Sequence, residues 1–181
     1  MRPRIRWTER RFDFSFPVDL YPEIIERVRG TPARLSSRLS PLPTAVLTQR
    51  EGNSWSIQEN AGHLLDLESL CAQRLDEYLA GVGTLHAADM SNRKTHEGQH
   101  NESSVELILA KFREERGRLV ERLDDLDPES FARTAIHPRL NTPMRLVDML
   151  YFQSEHDDYH LARISELVRL FFGVAKGITV E

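Results

Sequence analysis

From Leu146 to Phe171 apolar side chains recur at helical spacing, as Leu146, Met149, Leu150, Ile164, Leu167 and Phe171, and Gln153, His156 and His160 fall in the same stripe. A helix with one apolar face of that length must be buried against other helices. No strand-like alternation recurs along the chain apart from Phe12, Phe14 and Phe16, so the pattern predicts an all-α protein with an extended N-terminal arm. The 181 residues, 40% hydrophobic, suffice for one ordinary core and are short for two. The division expected is an arm over 1–20 and a single helical domain over 21–181.

Start and stop signals mark the remaining helices. A first helix opens at Pro22 and is interrupted by Gly30, Thr31 and Pro32, with a second piece from Ala33 to Leu39. Ser56 and Glu59 form a capping box, Trp55 precedes it as a staple partner, and the helix it starts runs from Ile57 to Leu79 before Gly81. Residues 82–102 are polar and too long for an ordinary helix connection. Another helix begins near Ser103 or Ser104 and carries Val105, Ile108, Phe112, Leu119, Leu123 and Leu126 on one stripe, closing at Asp127 and Pro128. Thr142 and Pro143 read as the N-cap and first-turn pair of the last helix, which continues to about Phe172. Four main helices predict a four-helix bundle.

Charge and cysteine content exclude several classes of function. Twenty-four Lys and Arg against 28 Asp and Glu give a net charge of -4 without a basic block, which argues against a nucleic-acid partner. No apolar run approaches the ~20 residues of a membrane span, and no signal-peptide segment follows the Arg-rich start, so a cytoplasmic location is expected. A single cysteine, Cys71, fits a reducing compartment and reads as a small core residue.

The chemistry then rests on seven histidines. His156 and His160 are four residues apart, about 6 Å along the axis and on one helix face, where both imidazoles can reach a metal ion. His63, at the border of the Leu64, Leu67, Leu70 and Cys71 seam, is a third candidate, because packed helices lie only about 8 to 10 Å apart. Any one of these alone reads better as a satisfied core histidine, but two buried imidazoles one turn apart need partners for four ring nitrogens, which a metal largely supplies. His96 and His100 share the same spacing on polar flanks and read as a solvated loop or as part of the site mouth. His86 and His137 receive no role. Gln153, Asp157 and Glu59 are candidates for orienting a ligand or handling a proton, Gln153 foremost because it lies inside the stripe. Arg116 falls between Phe112 and Leu119, where it can anchor an anionic substrate group, snorkel, or pair with Glu115 or Glu59. His156-Asp-Asp-Tyr-His160 has aspartate where the zincin motif has glutamate, which makes a metalloprotease a poor reading.

Trp55-Ser-Ile-Gln-Glu59-Asn-Ala-Gly-His63-Leu-Leu-Asp66, with Arg74 following and with Thr142-Pro143-Met144 and Glu155-His156-Asp-Asp-Tyr-His160 downstream, resembles the signature of the DinB/YfiT-like superfamily. The likeness runs from Thr31 to about Val168. It implies an up-down-down-up four-helix bundle, commonly a homodimer, with a divalent metal ion, zinc or nickel, held by His63, His156 and His160. Activities in such a family include transfer of low-molecular-weight thiols such as bacillithiol, mycothiol-dependent isomerisation, and metal-dependent hydrolysis. The expectation is an enzyme that transfers a low-molecular-weight thiol to an electrophilic small molecule, or hydrolyses one through a metal-activated nucleophile, with Arg116 on a substrate carboxylate. The alternatives are a metal-stabilised structural or binding bundle closed by a fourth protein ligand, and a metal-free bundle with buried histidines.

Overall fold

The computed structural model describes the backbone of residues 4–175 and side chains as far as Phe171. Residues 1–3 of the expected arm and 176–181 of the expected domain lie outside the described residues. The helices are α1 (Tyr21–Arg29), α2 (Thr31–Leu39), α3 (Thr44–Leu47), α4 (Ile57–Ala80), α5 (Arg93–Glu97), α6 (Val105–Asp124) and α7 (Leu146–Ala175). Two short strands, β1 (Thr134–His137) and β2 (Thr142–Arg145), pair antiparallel before α7.

α1 and α2 act as one jogged helix, since Pro32 has no N–H to continue the hydrogen-bond ladder and sits in the first turn of α2. α4 opens with the expected capping box, in which Ser56 and Glu59 each satisfy the other's backbone N–H, and it closes on Gly81 at a left-handed φ of 71°. Ser104 caps α6 by accepting the Leu107 N–H.

Contacts between helix ends fix the directions. Gln58 on the first turn of α4 donates to the carbonyl of Ser103 just before α6 at 2.7 Å, so α4 and α6 start at the same end. Tyr78 near the end of α4 donates to the Met144 carbonyl just before α7, so α7 runs back. Arg27 pairs with Glu155, and Arg38 donates to the Leu161 carbonyl, so α1 and α2 ascend alongside α7. The topology is up-down-down-up, as expected. α1–α2 and α4 each pack against both α6 and α7.

The start of α7 corrects one expectation. Thr142 and Pro143 lie in β2, and the helix begins at Leu146, where Asp148 accepts the Arg145 N–H at 2.8 Å. Proline is tolerated in the strand because Pro143 faces Ile136, whose own N–H and C=O are engaged on the other side by Gly83 and Leu85. The expected all-helical chain thus carries one small hairpin.

The arm seals the bundle. Phe12 packs on Phe152 at a ring-centroid distance of 4.9 Å, Phe14 and Phe16 lie against Tyr151, and Arg145 donates to the carbonyls of Phe14 and Phe16. These partners all belong to β2 or α7, so alternate residues of the extended arm find an apolar surface within their own chain.

The core is divided. One apolar cluster gathers Val28, Tyr78, Leu123, Phe131 and Leu150, and a second gathers Leu35, Leu39, Leu64, Phe112 and Ile164. Between them every helix of the bundle contributes buried polar groups, Thr31, His63, Glu68, Arg116, Gln153, Asp157 and His160 among them. A middle layer this polar needs an explanation for each side chain in it.

Candidate metal centre

α4 and α7 run antiparallel, which brings His63 to His156 and His160. Their ligand atoms all lie within 4.8 Å of one another, and the ring centroids are 4.6 to 5.3 Å apart. Burial, and then the neighbouring His156, lowers the His63 pKa to about 3. Burial, followed by Arg139, lowers that of His156 to about 3, and burial carries His160 well below the ordinary histidine value. All three are therefore neutral near pH 7, with a lone pair each to offer.

Hydrogen bonds decide which nitrogen carries that lone pair in two of the rings. Asn60 spends its amide N–H groups on the carbonyls of Ser56 and Trp55, so its Oδ1, 2.9 Å from His160 Nδ1, accepts from the ring. The Thr95 hydroxyl donates to Asp66, so its oxygen, 3.0 Å from His63 Nδ1, likewise accepts. Nε2 is left free in both. A ligating histidine tied through its other nitrogen to an oxygen acceptor is the common arrangement around bound metals. Three neutral imidazoles suit a borderline divalent ion such as zinc or nickel, and among the described residues the cluster has no fourth protein ligand.

The polar connection before α6 thereby gains a purpose. His100 is buried rather than solvated, with Nε2 2.8 Å from the same Asp66 carboxylate that holds Thr95. Gly62 makes room for it, since a Cβ there would lie 2.2 Å from the His100 ring. His96 stays exposed at the mouth, its ring centroid 5.6 Å from that of Trp55. Trp55 lies against His63 at 4.7 Å and Trp7 meets His156 edge-on at 4.9 Å, so two indoles border the trio. Beside it opens a cavity of about 530 Å³ lined in part by Leu67, Met149, Phe152 and Gln153.

The other candidates separate clearly. Gln153 is 7% exposed, lines that cavity, and its Nε2 has no hydrogen-bond partner. Glu59 is occupied by the capping box and by Arg50; burial pushes its pKa up, but Arg50 and Ser56 together hold it below the usual carboxylate value. Asp157 accepts from Thr31 and Arg116. Arg116 pairs with Glu68 and Asp157, not with Glu115 or Glu59, and also donates to the Val28 carbonyl. Its five N–H groups are thus all engaged, leaving none for the substrate carboxylate expected there. Cys71 lines the cavity, but burial pushes its thiol pKa up, so it is a poor nucleophile. His137 is buried, accepts the Leu140 N–H through Nδ1, and is held at about pKa 4 by burial, Arg74 and Arg139. Of the residues that shape the site, Thr95 and Arg139 escaped the sequence reading, because Thr95 sits in a helix of only five residues and Arg139 in the turn between two short strands, neither long enough to show periodicity.

The fold and these residues define a class, a four-helix bundle with a tri-histidine cluster across its middle layer. The chain belongs to the DinB superfamily, whose sequence profile matches residues 27–164. YfiT from Bacillus subtilis, described as a probable metal-dependent hydrolase with an unusual four-helix bundle topology, is similar in fold at a TM-score of 0.76. That match has 21% sequence identity and covers 88% of this chain and 92% of YfiT. The mycothiol-dependent maleylpyruvate isomerase matches with a TM-score of 0.64 and 12% identity, over 82% of this chain and 61% of the isomerase. No curated protein sequence matches the chain. Among the described residues no helix is long and apolar enough to cross a membrane.

Proposed function

We propose that the protein is a metal-dependent enzyme in which His63, His156 and His160 hold one divalent ion, zinc or nickel, beside the cavity. The observation that carries this reading is the pair of ring tethers, Asn60 on His160 and Thr95 on His63, which turn free Nε2 atoms into a three-nitrogen cluster. A hydrogen-bond network that merely satisfied buried histidines would engage both nitrogens of each ring. Three donors rather than four favour a catalytic over a closed structural site.

When bound, such an ion supplies a Lewis acid that brings a thiol or water beside it towards ionisation at neutral pH. The protein's own contribution is to position and to exclude. Asn60 and Thr95 fix the imidazole planes, Trp55 and Trp7 restrict water around them, and the apolar cavity wall receives the body of a small substrate. With Cys71 inert, a reacting thiol has to arrive as a substrate. The reaction proposed is transfer of a low-molecular-weight thiol to an electrophilic small molecule, ahead of hydrolysis. The mycothiol-dependent isomerase supports a thiol partner, and YfiT supports the hydrolytic alternative. An arm over 1–20, one bundle domain over 21–181, a cytoplasmic location and a homodimer belong to the same proposal.

The test is to load the full chain with zinc or nickel, supply a panel of low-molecular-weight thiols and electrophiles, and follow thioether and hydrolysis products by mass spectrometry. Metal-dependent thioether formation that is lost in His160→Ala is the expected result. Products formed equally by metal-free protein would overturn the proposal.

A further inference from the structure

The cavity beside the histidines is lined by three arginines and three carboxylates, but they are unevenly paired. Arg116, Glu68 and Asp157 are spent on one another. Asp89, at the exposed rim, accepts from the Ser91 hydroxyl and N–H and from the Arg93 N–H. Arg74 and Arg139 also line the cavity, and neither has a carboxylate within ion-pair distance among the described residues. Arg74 is 6% exposed, donates twice to the His86 carbonyl, and leaves Nη1 facing only the Met149 sulfur at 3.7 Å.

Arg139 is the more unusual of the two. It lies in the turn from β1 to β2, and its guanidinium sits over the Phe152 ring at 5.4 Å and the Trp7 ring at 5.9 Å. Its buried Nη2 has no partner, and burial alone acts on its pKa, lowering it. The third unmatched donor is Gln153 Nε2, on the same cavity wall. Two guanidiniums and an amide with unspent N–H groups in a low-dielectric wall are unfavourable unless an anion completes them. Trp7 touches both Arg139 and His156, so this wall adjoins the histidine cluster.

We propose that Arg139, Arg74 and Gln153 form an anion subsite that takes the carboxylate of a small organic substrate whose reacting end lies at the three histidines. The assignment rests on the reading of that cavity as a substrate site. It transfers to this wall the role that the sequence assigned to Arg116. The planar guanidinium of Arg139, lying near the Phe152 and Trp7 rings, presents a fork matched to carboxylate geometry. Leu67, Met149 and Phe152 would receive an apolar body.

The experiment is calorimetric titration of the zinc-loaded full chain with benzoate and with benzamide, which share a shape and differ in charge. Benzoate is expected to bind at least about tenfold tighter, as a charge-assisted hydrogen bond is worth more than a neutral one. Arg139→Met should abolish the preference at unchanged metal content, Arg139→Lys should restore part of it, and Gln153→Leu should weaken benzoate several-fold. Equal binding of the two probes by wild type would overturn the subsite. So would a preference undiminished in Arg139→Met, which would place the carboxylate on the zinc instead. If Arg139→Met fails to fold, the probe pair on wild type and Gln153→Leu decides. A benzoate preference in wild type that takes up no zinc would sink the metal reading and leave the subsite standing. Full zinc occupancy without the preference would do the reverse.

Discussion

Two polar clusters share the middle layer of the bundle, and they differ in how completely their hydrogen bonds close. Around Arg116, each guanidinium N–H meets Glu68, Asp157 or the Val28 carbonyl, and Thr31 adds a further donor to Asp157. Around His63, His156 and His160, the outer nitrogens of two rings are tied while the inner ones converge, and Gln153 Nε2 is unspent. Both clusters are largely buried, with only His156 at intermediate exposure, so burial does little to separate them. What separates them is closure: a closed network specifies how four helices meet, whereas an open one invites a ligand.

The largest effect expected is on the closed side. Arg116→Met leaves Glu68 and Asp157 buried without their cation and should destabilise the protein by about 3 to 5 kcal/mol in urea unfolding. A loss below about 1 kcal/mol would break the comparison, because Arg116 would then not hold the layer together.

Thr95→Val tests the open side. It removes the acceptor on His63 and should weaken zinc binding about 10- to 100-fold while lowering metal-free stability much less than Arg116→Met. Competitive zinc titration and urea unfolding of the same variant read both quantities.

Acid should act through the open cluster as well. The folded-state pKa of His63 and of His156 is depressed to about 3, so below the unfolded value near 6.5 the unfolded chain binds more protons than the native one. Metal-free protein therefore loses stability as pH falls from about 6.5 towards 3. The loss at His63 amounts to about 1 kcal/mol between pH 7 and pH 5.5, with His156 adding in the same direction. Urea midpoints flat across that interval would contradict the neutral assignment.

The smallest effect sharpens the boundary. Arg50 is half-exposed, and Arg50→Ala removes its pair with Glu59 while the capping box remains. Stability should change by less than about 1 kcal/mol, and zinc affinity should not change at all.

The sequence made the bundle and the trio legible because helical periodicity projects side chains without knowledge of tertiary contacts. His156 and His160 sat in the α7 stripe, and His63 sat at the edge of the α4 seam. Pairing was harder to see: the partners of Arg116 lie 48 and 41 residues away, on α4 and α7. Thr142-Pro143 misled because the pair suits a helix start and an edge-tolerant strand equally well, and the choice depended on the neighbouring Gly83–Leu85 segment. Thr95 and Arg139 lie in connections that carry no periodic signal, so the tether of Thr95 on His63 and the place of Arg139 in the cavity wall emerged only from the folded chain.

The central claim is that the open cluster is a metal site, and elemental analysis of purified wild type, His63→Ala, His156→Ala and His160→Ala after equilibration with zinc tests it most directly. About one tightly held zinc per wild-type chain and little or none in each folded variant is the result predicted. Zinc retained at the wild-type ratio in all three variants, or absent from wild type, would contradict it.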